Sequence, residues 1–404
     1  MSDIVKILVV FMVMVFLLRK KLEIGFVLII ASVILFLEYL MVPEKILNTT
    51  YTAIVSKDTM ALMIALTFIR MVEKILRERD VLKEMMASVK GLLRKKKFVI
   101  ISMPLLIGML PSIGGAYFSC PMVEESAHGL NLSKEDKAFT NYWFRHPWEI
   151  MLPLYPGVLL ASIITEIGLR QFILLNLTSS LSMLVIGFVF GMKGISGSFD
   201  KKQTGNIGPW RATRSFIPIV LLLFIVIVFK VKLHSAMVVT VFLLLIVYRY
   251  GLMEIYEVLK YGFKPDVIVL ILGVMLFKET LQNSGAVINL SNYFTSQGIP
   301  LTPLLVLLPF IAGFLTGFTL AFVGSTFPLL LHLPGISPYA FSFAFMAGYA
   351  GVLLSPVHVC FVVTREYFKA DVIKLYKTVA PAVLILFLVS MTQYIILTIQ
   401  KVVK

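Results

Sequence analysis

Cysteine is almost missing: the 404-residue chain has two, Cys120 and Cys360, and no CxxC spacing. The cysteines therefore support neither a disulfide framework nor a metal site. Charge is scarce too. Asp, Glu, Lys and Arg make up 15% of the chain, against 59% hydrophobic residues. No GxxxxGK[ST] run occurs, so nothing in the sequence is built to hold ATP phosphates. HExxH, GxSxG and paired intramembrane aspartates are also lacking, which leaves an intramembrane enzyme without its chemistry. The first apolar run, after "MSDIVK", has no small-residue cleavage site and reads as a membrane helix, not a signal peptide.

What is present is apolar length. Mean hydropathy is +0.93, and runs such as "IGFVLIIASVILFLEYLMV" (24–42) and "FIPIVLLLFIVIVF" (216–229) have lipid-facing character. The chain reads as an all-α polytopic membrane protein of the cytoplasmic membrane, in contact with membrane lipids. Its net charge of +15 fits Lys- and Arg-rich cytoplasmic loops, and no nucleic-acid partner is expected.

The chain is also written twice. "RKKLEIGFVLIIASVILFLEYL" (19–40) lines up without gaps on "KVKLHSAMVVTVFLLLIVYRYG" (230–251), and "KDTMALMIALTFIR" (57–70) on "PDVIVLILGVMLFK" (265–278). "PLLIGML" (104–110) matches "PFIAGFL" (309–315). "AFTNYWFRHPWEIMLPLYPG" (138–157) runs beside "AFSFAFMAGYAGVLLSPVHV" (340–359). Matches in the same order point to a duplication. The halves are 1–192 and 214–404, joined by a polar, Gly-rich cytoplasmic linker at 193–213.

Each half has three apolar spans, an interrupted segment (98–127; 301–333), a proline-broken span (138–165; 338–365) and a last span. The arms of the first interrupted segment are roughly 12 residues, or about 18 Å of helix, short of a hydrocarbon core of about 30 Å. If both interrupted segments cross, Lys and Arg divide almost evenly between the two sides. If both return as hairpins, one side becomes clearly richer, as the positive-inside rule demands. The second arrangement gives ten crossings, five per half, so the repeats are inverted and both termini lie outside. "PSIGG" (111–115) is then one hairpin tip. The other lies within "TGFTLAFVGST" (316–326).

This pattern, with "PSIGGAYFSCPMVEE" and "NYWFRHPWEIMLPLYPG", resembles the ion transporter superfamily. That superfamily includes divalent-anion/sodium symporters, membrane subunits of carboxylate transporters, and gluconate, citrate and arsenite carriers. Within it, the chain looks like a prokaryotic branch with ten predicted helices. The resemblance implies re-entrant hairpins, broken helices, a homodimer and an elevator motion. The symporters' Ser-Asn-Thr tips are absent here, which detaches sodium coupling and dicarboxylate specificity from the likeness.

The expected function is secondary active transport of a small, anionic solute (a carboxylate or oxyanion), coupled to Na⁺ or H⁺, with no other cofactor and no metal. The alternatives are a Na⁺/H⁺-type cation antiporter and a channel. Candidate substrate-binding positions are the tips (Ser112, Gly114, Gly115; Ser325, Thr326) and the breaks (Pro153, Gly157; Ser355, His358). Opened helices expose carbonyls to a cation and N–H groups to an anion. Arg145 joins this set as an anion contact, although pairing with Glu149 at i,i+4 explains it as well. Glu125, His146 and Glu149 are the candidate coupling groups, each with a structural alternative: a solvated hairpin mouth for Glu125, a hydrogen-bonded histidine for His146. The basic, amphipathic 77–97 segment reads as an interfacial arm.

The charge count makes a topological prediction. With Cys120 and Cys360 removed, an impermeant thiol reagent applied to intact cells should label Lys404→Cys and spare Lys95→Cys. Labelling of both from outside would overturn the ten-crossing arrangement.

Overall fold

A computed structural model gives the fold. It describes residues 3–20, 22–81, 84–85, 88, 93, 95–109, 111, 115–128, 130–192, 195, 216–229, 231–298, 300–331, 333 and 335–403. Among these the regular elements are all helices. The first half contains α1 (Asp3–Arg19), α2 (Ile24–Glu38), α3 (Pro43–Val55), α4 (Lys57–Glu78), α5 (Lys96–Ile107), α6 (Gly115–Ser126), α7 (Lys134–Arg145), α8 (Pro156–Thr165) and α9 (Leu169–Gly191). The second contains α10 (Ile217–Ile227), α11 (Leu233–Val247), α12 (Leu252–Gly262), α13 (Pro265–Ser284), α14 (Ala286–Ser296), α15 (Leu301–Thr316), α16 (Thr319–Leu330), α17 (Pro338–Leu354), α18 (Val359–Phe368) and α19 (Val372–Val403). The linker lies outside the described residues except for Ile195, as does much of the 77–97 arm.

Local chemistry sets the boundaries. Ser56 caps α4, accepting the Thr59 N–H at 3.2 Å. A reciprocal box of Ser133 and Asp136 opens α7. Prolines start α3, α8, α13 and α17, where a missing N–H costs nothing. Among the described residues, three stretches are long and apolar enough to cross a bilayer: Leu169–Gly191, Pro338–Phe368 and Val372–Gln400. The chain is a membrane protein on that ground, although fewer stretches meet the criterion than the ten crossings expected. The apolar helices α1, α2, α10 and α11 are shorter. On α2, Val27, Leu28, Ala31 and Leu35 are buried while Phe26, Ile30, Val33 and Leu37 are exposed. Apolar residues on both faces suit a helix with protein on one side and lipid on the other.

Helices α3, α12 and α14 were not anticipated as elements. α3 ("PEKILNTTYTAIV") and α12 ("LMEIYEVLKYG") are too polar to read as spans, and they pack along α13 and α4 respectively. The contacts recur with the halves exchanged. α2 packs on α13 and α11 on α4; α6 packs on α18 and α16 on α8; α9 lies along α19. The arms α5 and α6 pack on each other, as do α15 and α16, so each interrupted segment is a helical hairpin.

The helices meet at glycines. A Cβ on Gly273 would lie 2.2 Å from the Gly25 carbonyl oxygen of α2, and one on Gly351 would lie 2.2 Å from the Phe310 carbonyl oxygen of α15. Gly273→Ala should therefore destabilise the fold by about 1–3 kcal/mol, the usual cost of overpacking, seen as a lower Tm in detergent. Gly168→Ala, with nothing within 4 Å of the new Cβ, should leave Tm unchanged. Equal Tm values for the two variants would contradict the close α2–α13 approach.

Candidate functional site

The two broken helices meet at the centre of the fold. The first stops at Arg145, because Pro147 cannot continue the ladder. It passes through turns in which Glu149 N–H donates to His146 O at 3.1 Å and Leu152 N–H to Trp148 O at 2.8 Å, then restarts at Pro156. The break thus runs from His146 to Tyr155, earlier and longer than the Pro153 to Gly157 stretch expected from the sequence, and it places Arg145 at a helix end. The second break is short. α17 ends at Leu354, Ser355 is extended, and His358 precedes α18, as the Ser-Pro-Val-His sequence led one to expect.

Carbonyls released by the breaks are answered by protein hydroxyls. Tyr142 donates to Leu353 O at 2.9 Å, Tyr376 to Leu354 O at 3.0 Å, Tyr349 to His146 O at 3.1 Å and Ser180 to Pro147 O at 2.7 Å. Each removes the cost of an unmet buried carbonyl.

Inside this frame lies a buried polar cluster. His146 is 1% exposed, Arg145 4% and His358 6%. The Nε2 atoms of the two histidines are 3.0 Å apart, although the residues are 212 apart in sequence. Each Nδ1 faces a backbone carbonyl: His146 that of Tyr142 at 2.5 Å, His358 that of Gly317 at 2.7 Å. Ligand atoms of His146, His358 and Cys360 all lie within 4.8 Å of one another, and Arg145 approaches the same sulfur. Glu149 accepts from Thr319 Oγ1 at 2.7 Å and from Tyr349 at 3.3 Å, with its Oε2 3.8 Å from His146 Nε2.

The second hairpin reaches this cluster through its turn at Gly317 and Phe318. Gly317 has φ +64, and a Cβ there would lie 2.8 Å from the His358 nitrogen, so both conformation and space call for glycine. Thr319, the first residue of α16, packs on Gly157 of the first break. The first hairpin contributes its α5 end: Tyr155 donates to Gly108 O at 2.5 Å and Trp148 to Leu105 O at 2.8 Å.

The chain matches, over residues 2–396, the family model described as "Protein of unknown function (DUF401)". It belongs to that family. No curated protein matches it.

In this DUF401 chain the residues singled out from sequence are only partly gathered. Arg145, His146, Glu149, Gly157, Ser355 and His358 stand at or beside the cluster, and Pro153 lies within the first break. Ser112 and Gly114 fall outside the described residues, while Gly115 opens α6. Ser325 and Thr326 are not at the second turn. They sit inside α16 with their hydroxyls bonded back to Ala321 O and Phe322 O, each at 2.6 Å. Glu125 is exposed near the far end of α6, apart from His146 and Glu149. Its neighbour Glu124 accepts from Lys137 at 2.7 Å, as a solvated position would. Sequence reading puts Gly317 and Thr319 inside the second tip segment without singling them out, and does not mark Tyr142, Tyr349 or Cys360 as site residues. The tyrosines carry no motif, and Cys360 has no CxxC partner because it is grouped with two histidines, His358 beside it in sequence and His146 from the other half. At the start of α7, the half-buried Glu135 accepts the Asp371 N–H at 2.9 Å, which lowers its carboxyl below the ordinary value.

Tyr349→Phe strips the donor from both His146 O and Glu149. Unfolding in detergent should show a loss of about 1–3 kcal/mol, the cost of leaving buried acceptors unmet. An unchanged Tm would mean that the hydroxyl does not hold the first break.

Proposed function

We propose that the chain is a secondary active transporter of the ion transporter superfamily type. It is built from two inverted repeats of five crossings, and moves a small anionic solute across the cytoplasmic membrane with Na⁺ or H⁺ by an elevator motion. The observation that carries this reading is the meeting of two broken helices and a hairpin turn on one buried, charged cluster between the halves. Irregular backbone in a membrane protein is tolerated where it lines a site. Charge in such surroundings, at roughly 3 kcal/mol per residue on insertion scales, is rarely idle. The exchange of contacts between halves supports the repeat, and the paired arms support two re-entrant hairpins.

Arg145 is the anion-attracting charge. Helices α8, α16 and α18 begin at the two breaks and the second turn, and a helix N-terminus favours an anion. A homodimer follows from the same superfamily reading. Glu149 favours a second reading, a cation/proton antiporter, because a carboxylate held by the Thr319 and Tyr349 hydroxyls has the means to exchange a proton for Na⁺.

Thermal-shift screening of purified protein against carboxylates, oxyanions, Na⁺ and pH should yield a stabilising anion. Its affinity should fall about tenfold or more in Arg145→Lys, because the bidentate fork is lost. In proteoliposomes that anion should show saturable counterflow. Na⁺-driven proton movement without any anion dependence, abolished by Glu149→Gln, would select the antiporter instead. Flux without saturation or counterflow would indicate a channel.

A further inference from the structure

Hydrogen-bond valence fixes the tautomers of the two central histidines. A carbonyl oxygen only accepts, so each Nδ1, at 2.5 Å from Tyr142 O and 2.7 Å from Gly317 O, carries the hydrogen. In the neutral rings both Nε2 atoms are then lone pairs, and they face each other at 3.0 Å. Two lone pairs at that distance repel unless a positive species lies between them. The third group on the spot is the sulfur of Cys360, within 4.8 Å of both rings.

We infer that His146, His358 and Cys360 form a binding site for one thiophilic d¹⁰ metal ion, held between the breaks of the two halves. Three observations agree. The donor set, two imidazoles and a thiolate, is the one soft and borderline ions prefer over Na⁺ or Mg²⁺. Both rings donate Nδ1–H to a backbone carbonyl, the outer-shell arrangement that orients metal-ligating histidines and turns Nε2 toward the ion. The third donor, the sulfur of Cys360, lies within 4.8 Å of the ring nitrogens, and a metal ion would hold it as the thiolate. Glu149 Oε2, 3.8 Å from His146 Nε2, or a water completes a fourth position for Zn²⁺; Cu⁺ or Ag⁺ is satisfied by three ligands.

Binding has a mechanical consequence. His146 ends the first half-helix α7, while Cys360 is in the first turn of α18 and His358 is tied to the Gly317 turn of the second hairpin. One ion would pin both breaks and one hairpin turn in the arrangement described here. The inference does not depend on which solute is carried, because it is read by binding alone.

The test uses full-length protein in detergent, stripped with a chelator and dialysed against Zn²⁺ or, separately, Ag⁺, with bound metal measured by mass spectrometry. About one equivalent per chain of either ion is expected. Affinity should fall about 100-fold or more in Cys360→Ser and in His358→Gln, and remain unchanged in Cys120→Ser. Co²⁺ loading of the unsubstituted protein gives a readout that does not require a variant to fold: a near-ultraviolet thiolate-to-cobalt charge-transfer band is expected. Absence of that band, absence of retained metal, or retention that survives both Cys360→Ser and His358→Gln would overturn the site. A proton shared by the two Nε2 atoms would then be the positive species between the rings.

Discussion

A helix opened in apolar surroundings leaves carbonyls that no solvent can answer, and this constraint governs the centre of the molecule. Two prolines-and-turn interruptions release main-chain oxygens at Leu353, Leu354, His146 and Pro147, and each is met by a tyrosine or serine from another element. The residues that supply those hydroxyls are consequently fixed in place. Tyr349, held to His146 O, also meets Glu149, and Tyr142, held to Leu353 O, brackets both histidine rings. The cluster of Arg145, His146, His358 and Cys360 is the ordered interior that this hydrogen bonding creates.

Tight approach between helices depends on the same economy of space. Glycines at 25, 273, 313, 348 and 351 let backbones touch where side chains would hold them apart. With α2 against α13 and α15 against α17, the broken helices can lie close enough for two imidazoles from different halves to face one another.

Much of this order was legible in the sequence, and what was missed has physical reasons. Proline announces a break because it removes a donor and clashes with the preceding turn, so both broken spans could be read. The sequence makes the first break look too short, because Pro153 and Pro156 mark its end whereas the ladder already stops before Pro147. The composition of 316–326 allows the second turn anywhere from Thr316 to Thr326. Gly317, with its positive φ, holds the turn, whereas Ser325 and Thr326 satisfy their own hydroxyls within α16. Helices α3 and α12 are invisible in the sequence because a short, half-polar segment has no span signature. Linear spacing cannot show ligands gathered from two breaks, so Cys360 carries no signal in the sequence, and Glu125 looks like a coupling residue although its helix carries it to an exposed end.

The second hairpin's turn seats on the first half's break, where Thr319 packs on Gly157, and one cross-link tests this contact most directly. A Cβ on Gly157 would lie 3.1 Å from Thr319 Cβ, close enough for a disulfide after slight adjustment. Gly157→Cys and Thr319→Cys are introduced together in a chain without Cys120 and Cys360, with a protease site placed in the 196–213 linker. After oxidation in native membranes and cleavage, the halves should migrate as one species on a non-reducing gel and separate on reduction. Halves that separate without reductant, at every oxidant concentration that leaves the protein folded, would contradict the arrangement of the site.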